Sequence, residues 1–205
     1  GGFMGYKNVI FDVGGVLLDW KPLKLLTAMF DEERAVLLKE NMMDTEYWPE
    51  LDRGSLSLDQ AVELFSKNIP EFKNDIKFAL KGFIDYLPVI EENVKIIYKL
   101  FEENYRLFVL SNFHSESFTK AYNKYDFFKM FEGLIISSRV KMIKPEKEIY
   151  YYILNEYKLN PVETVFFDDS KENVKTALDL NIVGVHTPTP QELHAFYINH
   201  LKRVR

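Results

Sequence analysis

The chain contains five short apolar runs, and after the first of them the runs alternate with segments of helical periodicity. The apolar runs lie at 9–11, 107–110, 134–136, 165–167 and 182–185. Short apolar runs of this kind are typical of buried strands. The helical segments lie at 93–103, 116–124, 147–156 and 172–180. This alternation predicts an α/β fold in which a doubly wound parallel sheet has helices on both faces.

One connection is much longer than a parallel sheet requires. About 80 residues separate the first strand from the helix that precedes the second strand, whereas a whole βαβ unit needs roughly 30. The excess has candidate helices at 23–30, 34–42, 58–68 and 75–84. Turn signals separate them at Asp31, Trp48-Pro49, Arg53-Gly54-Ser55 and Ile69-Pro70. We therefore expect a core domain of 1–18 and 86–205, and a small all-helical cap subdomain of 19–85 that covers the site and selects the substrate.

Charge and composition narrow the classes of partner. Lys and Arg number 26 and Asp and Glu number 31, so the net charge of −5 offers no basic surface to a nucleic-acid backbone. The chain has no cysteine, and no apolar stretch approaches the ~20 residues that cross a bilayer. We therefore expect a cytoplasmic protein that binds neither nucleic acid nor membranes. Its oligomeric state stays open.

Polar residues follow the predicted strands or open the helices after them. They are Asp12, Ser111-Asn112, Lys144-Pro145 and Asp168-Asp169. Because the carboxyl ends of parallel strands meet at one edge of a sheet, these segments converge where open α/β sheets bind ligands. The adjacent carboxylates of Asp168 and Asp169 repel each other, and a bound cation is the simplest relief. The order and spacing of the segments predict a site for phosphate and magnesium.

Taken together, the four segments resemble the motifs of the haloacid dehalogenase-like hydrolase superfamily. The similar branch is the one whose helical cap lies between the first and second motifs. The resemblance extends over nearly the whole chain, and the segment 48–57 (WPELDRGSLS) is similar to a helix-turn-helix signature of that cap. It implies a Rossmann-like core, Mg²⁺ as cofactor and a nucleophilic aspartate. Asp12 would attack phosphorus and form an aspartyl-phosphate.

The resemblance also implies a role for each residue of the site. The catalytic residues would be Asp12, Ser111 and Lys144. The Mg²⁺ ligands would be Asp12, the Gly14 carbonyl, Asp169 and, directly or through a water, Asp168. The phosphoryl group would be bound by Gly15, Ser111, the Asn112 backbone N–H, Lys144 and Arg53. For Arg53 an ion pair with Glu50 or Asp52 on the surface is the alternative.

The sequence departs from the superfamily pattern at one position. Phosphatases of the superfamily show Asp-x-Asp in the first motif, where the second Asp protonates the leaving oxygen and then activates water. Here that position is Gly14, which keeps a backbone carbonyl for the metal but supplies no acid or base. Acid–base help is typically worth about 10²- to 10⁴-fold, so reactions with poor leaving groups should suffer most.

Three interpretations of Gly14 stay open. In the first, the substrate has a leaving group that needs little protonation, as in anomeric sugar phosphates or acyl phosphates. In the second, another residue supplies the acid, and Asp19, His114 and Glu116 are near the motif loops in sequence. In the third, the chain binds a phosphorylated ligand or a protein partner without turnover.

The first interpretation is our prediction. The chain would be a Mg²⁺-dependent phosphatase that hydrolyses a small phosphomonoester through an aspartyl-phosphate on Asp12. A sugar phosphate, and an anomeric phosphate in particular, is the expected substrate, because its leaving group depends least on the missing acid. The expected partner is therefore a small phosphorylated metabolite.

Overall fold

The structure is a computed structural model that describes residues 5–203, so 1–4 and 204–205 of the predicted core domain lie outside the described residues. Its sheet consists of β1 (Asn8–Phe11), β2 (Arg106–Ser111), β3 (Gly133–Ile136), β4 (Thr164–Asp168) and β5 (Val183–His186). The strand order is β3-β2-β1-β4-β5, and all neighbouring pairs are parallel. The chain builds outward from β1 to one edge and then to the other, so the topological switch point lies at β1. The predicted doubly wound α/β fold is confirmed.

Helices fill the connections between the strands. Between β1 and β2 lie α1 (Pro22–Met29), α2 (Glu32–Asn41), α3 (Trp48–Arg53), α4 (Leu58–Ser66), α5 (Lys73–Gly82) and α6 (Glu91–Glu102). After β2 come α7 (Ser115–Lys124), α8 (Ser137–Val140), α9 (Lys147–Glu156), α10 (Lys171–Asp179) and α11 (Pro190–Phe196), the last followed by a π-helical turn at Tyr197–Leu201. Within residues 5–203, no helix combines the length and the apolar character that crossing a membrane requires.

The two faces of the sheet are packed against different helices. In β1, Val9 and Phe11 belong to a buried cluster that includes residues of α6, α7 and α11. Ile10 points the other way, into a cluster built with α9 and α10. Because both faces are covered, the central strands consist almost entirely of apolar residues, which is why they are recognisable in the sequence.

The helices α1 to α5 have a buried cluster of their own. Leu26, Leu38, Phe65 and Leu80 are among its members, all of which lie between residues 26 and 80. Helix α4 begins at a capping box, in which Ser57 caps the helix and the Gln60 side chain returns to the Ser57 backbone. The boundary of this helical unit as a separate subdomain, 19–85, stays a prediction.

Two features differ from the sequence prediction. Trp48-Pro49, interpreted as a turn signal, opens helix α3, because proline is tolerated in the first turn, where its missing N–H has no helical partner. Helix α3 ends at Gly54, whose φ of +80° forms a left-handed C-cap. The helical segment that begins at Pro190 was not predicted, and its Tyr197 and Leu201 complete the cluster beside α6.

Candidate active site

The carboxyl ends of β1, β2 and β4 lie side by side, and each is followed by or ends in a polar residue. Asp12 follows β1, Ser111 ends β2 and Asp168 ends β4. The Asp12 N–H donates to the Phe167 carbonyl at 3.0 Å, so the β1–β4 pairing continues up to the aspartate. The topological switch point of the sheet therefore presents two carboxylates and a hydroxyl to a common crevice.

Lys144 joins the two buried carboxylates. Its Nζ lies 3.0 Å from Asp12 Oδ1 and 2.7 Å from Asp168 Oδ2, and it donates to the Leu110 carbonyl at 2.9 Å. Lys144 is 3% exposed and Asp168 is 0% exposed, so water screens these charges little. Burial alone would lower the pKa of Lys144, but Asp12 and Asp168 outweigh it and raise the pKa above its usual value. The lysine is therefore charged at neutral pH.

The backbone of Lys144 is held in place by the Asn112 side chain. Asn112 Nδ2 donates to the Lys144 carbonyl, and the Lys144 N–H donates to Asn112 Oδ1, both at 2.9 Å. The sequence indicated only a backbone role for Asn112, because a reciprocal contact between two loops has no pattern in the chain. Its side chain fixes the loop that delivers the cation.

Asp168 is oriented by several donors. Its Oδ1 accepts the Ser170 N–H at 2.8 Å, and its Oδ2 accepts Asn173 Nδ2 at 3.1 Å in addition to Lys144. Ser170 is also the N-cap of α10, and Asn173 lies in its first turn. Both oxygens of this carboxylate are thus occupied by groups of the chain itself.

Three carboxylates form one acidic cluster at the site. Asp12, Asp168 and Asp169 each present an oxygen within 4.8 Å of the others. Burial raises the pKa of Asp12 well above its usual value, and the charge of Asp168 adds to this effect, whereas Lys144 acts against it. Burial and Asp168 also raise the pKa of Asp169. One lysine does not balance three carboxylates, and these oxygen donors suit a small, hard divalent cation such as Mg²⁺.

The glycine turn after Asp12 fits closely against this cluster. Gly15 has a φ of +85°, and a Cβ at this position would overlap the Asp169 carboxylate. Glycine therefore meets both the backbone conformation and the lack of space. His186, at the end of β5, donates from Nε2 to the Asp169 carbonyl at 2.9 Å and steadies the acidic loop. His186 directly follows an apolar run in the sequence, a position from which this contact could have been inferred, but it was not predicted.

Ser111 carries a polar atom that the protein leaves unused. Its hydroxyl is buried, and no hydrogen-bond partner for it occurs in the part of the chain that the structure describes. Leaving a buried polar group unpaired costs roughly 1–3 kcal/mol, and a ligand oxygen beside Asp12 would remove that cost. The hydroxyl is therefore available to a bound anion.

A cavity of about 210 Å³ lies over the carboxyl edge of the sheet. We call its polar side the floor, formed by Asp12, Gly14, Asn112, Lys144, Asp169 and Asn173. We call its apolar side the wall, formed by Trp20, Trp48, Leu51, Leu58, Leu80, Phe83 and Phe113. The other lining residues are Asp52, His114 and Ser117. In the wall, the rings of Trp20 and Trp48 stack with centroids 6.0 Å apart.

Arg53, a predicted phosphate ligand, is directed away from the cavity. Its guanidinium forms a bidentate pair with Glu146 at 2.8 and 2.7 Å, and Glu50 lies 3.7 Å away. Such charge-assisted pairs are among the stronger polar contacts, so Glu146 occupies the fork that a phosphate would need. Arg53 does not line the cavity, and the role of its guanidinium in phosphate binding stays a prediction that would require release from Glu146. Of the two surface partners considered, Glu50 lies near the guanidinium.

The three residues considered as substitute acids differ in whether they line the cavity. Asp19 faces Lys21 and Lys24 at 3.6 Å, and Glu116 is exposed; neither lines the cavity. His114 does line it, its Nδ1 has no partner within residues 5–203, and burial lowers the pKa of its imidazole.

Asp52 is a cavity residue that the sequence did not single out. It lies in α3, beside the buried Leu51, and faces the same space as Asp12. Burial raises the pKa of its carboxyl to about 7, although the positive charge of Lys144 acts in the opposite direction. Asp52 lies between two predicted turn signals, Trp48-Pro49 and Arg53-Gly54-Ser55, so no helix was predicted around it and the direction of its side chain could not be inferred.

Comparisons with known proteins place the chain in a family. The family model of the haloacid dehalogenase-like hydrolases matches residues 9–185. The sesquiterpene phosphatase astK of Aspergillus oryzae is 25% identical over 183 residues, which are 88% of this chain and 89% of that protein. The D-ribitol-5-phosphate phosphatase of Bacteroides thetaiotaomicron is 26% identical, over 90% of this chain and 92% of that protein.

The fold also has solved counterparts. A haloacid dehalogenase family enzyme from Bacteroides thetaiotaomicron, solved in complex with magnesium and inorganic phosphate, superimposes with a TM-score of 0.72 at 23% identity. The superposition covers 89% of this chain and 94% of that one. With the family model matched over most of the sequence, the chain belongs to the haloacid dehalogenase-like hydrolase family.

Proposed function

We propose that the chain is a Mg²⁺-dependent phosphatase that hydrolyses a small phosphomonoester through an aspartyl-phosphate on Asp12. The observation that carries this proposal is the position of the Asp12 carboxylate. It lies on the cavity floor, 3.0 Å from the Lys144 ammonium and within 4.8 Å of two further carboxylates. A nucleophile beside a fixed cation and a set of metal ligands suits attack on a phosphate ester. Both relatives described above are named as phosphatases.

The acidic cluster would hold the Mg²⁺ ion. Asp12, Asp169 and the Gly14 carbonyl would be its protein ligands, and Asp168, whose oxygens already accept from Lys144, Asn173 and Ser170, would act through a water. When bound, the ion neutralises the charge of the nucleophile and of the phosphoryl oxygens. The fit rests on three carboxylates within 4.8 Å of one another beside a single lysine, which leaves an excess of negative charge at the site.

Residues at the end of β2 and in the Lys144 loop would bind and orient the phosphoryl group. The unpaired Ser111 hydroxyl and the Asn112 backbone N–H would donate to its oxygens, and Gly15, in the turn after β1, would leave space for the acidic loop beside them. Lys144 would place a positive charge next to the nucleophile and the phosphoryl group, where a low local dielectric strengthens its effect. Asn112 would keep the lysine in register through the two hydrogen bonds to its backbone.

The helices α1 to α5 would act as the cap of this site, in agreement with the predicted unit 19–85. Trp48, Leu51, Leu58 and Leu80 supply much of the wall, and all four come from this part of the chain. These four residues pack in the cluster of α1 to α5, whereas the other wall residues, Trp20, Phe83 and Phe113, pack with the cluster that contains β1. A cap of this kind excludes water from the phosphoryl group and selects the alcohol part of the ester.

The wall favours an apolar alcohol over the sugar that the sequence predicted. A sugar hydroxyl pressed against rings and leucines loses its water without gaining a partner, at roughly 1–3 kcal/mol each. An apolar group gains roughly 25 cal/mol for each Å² that it buries there. We therefore propose apolar phosphomonoesters as the substrate class, consistent with the name of the sesquiterpene phosphatase. A sugar phosphate, with an anomeric phosphate preferred, stays the alternative, and the name of the D-ribitol-5-phosphate phosphatase is consistent with a polyol or sugar ester but not with an anomeric one.

The test is phosphate release from a panel of esters, with and without Mg²⁺, by the wild type and by Asp12→Asn. The panel contains p-nitrophenyl phosphate, octyl phosphate, a hexose 1-phosphate and a hexose 6-phosphate. We expect turnover that needs both Mg²⁺ and Asp12, and the highest kcat/KM on octyl phosphate among the non-aryl esters. A preference for the hexose 1-phosphate would replace the apolar class with the anomeric one. If the folded, Mg²⁺-binding wild type released no phosphate from any of the four esters, we would conclude that the site binds a ligand without turnover.

A further inference from the structure

The proposed reaction needs a proton donor that the first motif no longer contains. Gly14 has no side chain, and the space beside it is taken, because a Cβ added at residue 14 would lie 3.3 Å from Trp20 Cβ. An acid that serves the leaving oxygen must therefore come from another part of the cavity. The leaving oxygen points away from Asp12, since attack and departure are in line, and so points toward the side of the cavity lined by the wall.

We propose that Asp52 is the general acid and base of this site. The inference rests on the phosphatase function proposed above and adds to it the residue that exchanges protons with the leaving oxygen and with water. Asp52 lines the cavity together with Asp12 and Lys144, but it belongs to α3, the helix that also supplies Trp48 and Leu51 to the wall. Geometry comes first in such an assignment, and the residue must face the reacting group.

The end of helix α3 is bound to the core at Asp52 and at the two residues that follow it. The Asp52 backbone carbonyl accepts a hydrogen bond from the buried Ser137 hydroxyl at 2.5 Å. Arg53 is clamped to Glu146, two residues from Lys144. The Gly54 carbonyl accepts from Lys141 Nζ at 2.7 Å. Three consecutive residues are therefore bound to the core, which holds the Asp52 side chain at a defined place above the floor.

The carboxyl of Asp52 is left without a partner by the protein. Within residues 5–203, it forms no hydrogen bond and no ion pair, although it is half-buried. Desolvation raises the pKa of this carboxyl to about 7, so it holds its proton near neutral pH and releases it readily. A group with a pKa near the working pH is the most effective proton donor and acceptor.

The other charged groups near Asp52 have different tasks. Lys144, which lowers the pKa of Asp52, is bound to Asp12 and Asp168. Arg139, on α8, donates to Ser115 and Thr119. His114 lines the cavity as well, but burial lowers the pKa of its imidazole, so the ring is uncharged at neutral pH and a poor proton donor.

The proton balance of the two steps closes with Asp52 alone. In the first step, an Asp12 oxygen forms a bond to phosphorus, the bond from phosphorus to the ester oxygen breaks, and that oxygen takes the proton of Asp52 and leaves as an alcohol. In the second step, the Asp52 carboxylate takes a proton from water, whose oxygen bonds to phosphorus while the bond to Asp12 breaks. Inorganic phosphate leaves, and Asp12 and Asp52 return to their starting states.

The experiment compares leaving groups in Asp52→Asn. Octyl phosphate has a poor leaving group that needs protonation, and p-nitrophenyl phosphate has a good one that does not. We expect kcat/KM on octyl phosphate to fall by about 10²- to 10⁴-fold and kcat/KM on p-nitrophenyl phosphate by less than about 10-fold. Asp59→Asn, an exposed position in the first turn of α4, is the matched control and should leave both values unchanged. Asp52→Glu should recover part of the octyl phosphate activity.

A pH profile gives a readout that a structural role would not change. In the wild type, the ratio of kcat/KM on octyl phosphate to that on p-nitrophenyl phosphate should fall about tenfold per pH unit above pH ~7, because Asp52 loses its proton there. In Asp52→Asn the ratio should be low and independent of pH. The ratio cancels groups whose titration affects both substrates equally.

The outcomes separate this inference from the proposed function. A wild type inactive on both esters overturns the phosphatase function and the role of Asp52 with it. A wild type active on both, with an equal loss on both in a folded Asp52→Asn, overturns only the role of Asp52. A leaving-group-dependent loss in His114→Gln but not in Asp52→Asn would assign the acid to His114 and likewise overturn it.

Discussion

The floor and the wall of the cavity are built on opposite principles. On the floor, charged groups are buried and paired: Lys144 contacts Asp12 and Asp168, and Asp168 also accepts from Ser170 and Asn173. Beside the wall, Asp52 belongs to the same helix as Trp48 and Leu51, and its carboxyl has no hydrogen bond or ion pair within residues 5–203. The floor therefore supplies fixed charge for a phosphoryl group, and the wall supplies shape and one mobile proton.

Asp12 and Asp52 show the same contrast between a paired and an unpaired group within a single residue type. Desolvation raises the pKa of both carboxyls, but Lys144 lies 3.0 Å from Asp12 and acts on Asp52 only from a distance. The paired carboxylate suits nucleophilic attack, and the unpaired one suits proton transfer. Two carboxyls with different environments in one cavity are a common arrangement for dividing such roles.

The largest expected effect comes from removing the nucleophile. Asp12→Asn should lower kcat on p-nitrophenyl phosphate by at least about 10³-fold, because an amide does not displace an alcohol from phosphorus. The variant should stay folded, since an uncharged side chain at this site removes repulsion from Asp168 and Asp169. Phosphate release at saturating substrate measures the rate, and circular dichroism checks the fold.

Asp179→Asn is the matched control for this variant. Asp179 is the last residue of α10 and is exposed, so its substitution should leave kcat unchanged. If Asp12→Asn kept more than about a tenth of the wild-type rate, the floor would not contain the nucleophile, and the contrast between floor and wall would lose its chemical meaning.

Removing the cation of the floor should affect both rate and stability. Lys144→Met leaves the buried carboxylates of Asp12 and Asp168 without their cation, and breaking a buried ion pair in this way typically costs about 3–5 kcal/mol. We expect kcat/KM to fall by about 10²- to 10³-fold, the range for the loss of one preorganised electrostatic contact. Urea unfolding and steady-state kinetics measure the two effects.

Lys147→Met serves as its control, because Lys147 is exposed at the start of α9. Equal unfolding free energies for Lys144→Met and Lys147→Met would contradict the view that the floor is held together by its ion pairs.

The sequence predicted the polar residues at the strand ends far better than the residues of the wall, for a physical reason. Asp12, Ser111 and Asp168 lie at the ends of strands, and parallel strands bring their ends to one edge whatever their separation in the chain. The five apolar runs therefore located both the sheet and these three residues.

The wall follows from packing between helices, which no local pattern encodes. Trp48-Pro49 was interpreted as a turn but opens α3, so the direction of Asp52 was lost. Arg53 was expected at the phosphate, yet Glu146, 93 positions away in the chain, binds it. The Asn112 clamp on Lys144 was missed for the same reason, since a contact between two loops depends on tertiary structure.

A smaller effect tests the apolar character of the wall. Phe83 lines the cavity, and its ring lies 5.6 Å from that of Trp20 and 6.0 Å from that of Phe113. Phe83→Leu should lower kcat/KM on octyl phosphate by about tenfold and leave ethyl phosphate within about threefold, because a lost apolar contact is worth about 1–3 kcal/mol only to a substrate that makes it.

Phe78→Leu is the matched control, since Phe78 is exposed on α5 and does not line the cavity. Its two kcat/KM values should equal those of the wild type. If Phe83→Leu lowered the values for both esters equally, the wall would support the site without recognising the alcohol.

The smallest expected effect concerns the stability cost of Asp52. Its folded-state pKa of about 7 lies above the unfolded value of 3.8, so its contribution to stability is present at pH 4 and is lost as the pH rises through 7. Asn at this position is uncharged at every pH and avoids the loss. Because the side chain is only half-buried and solvent screens it, we expect a gain of about 1 kcal/mol for Asp52→Asn at pH 8, a rise in Tm of about 2–4 °C, and none at pH 4. Thermal unfolding at the two pH values measures it. A variant that loses octyl phosphate activity while gaining stability at pH 8 but not at pH 4 would identify Asp52 as a residue kept for function at a cost to the fold. An equal change in Tm at both pH values would mean that the charge of Asp52 is not what distinguishes the wall from the floor.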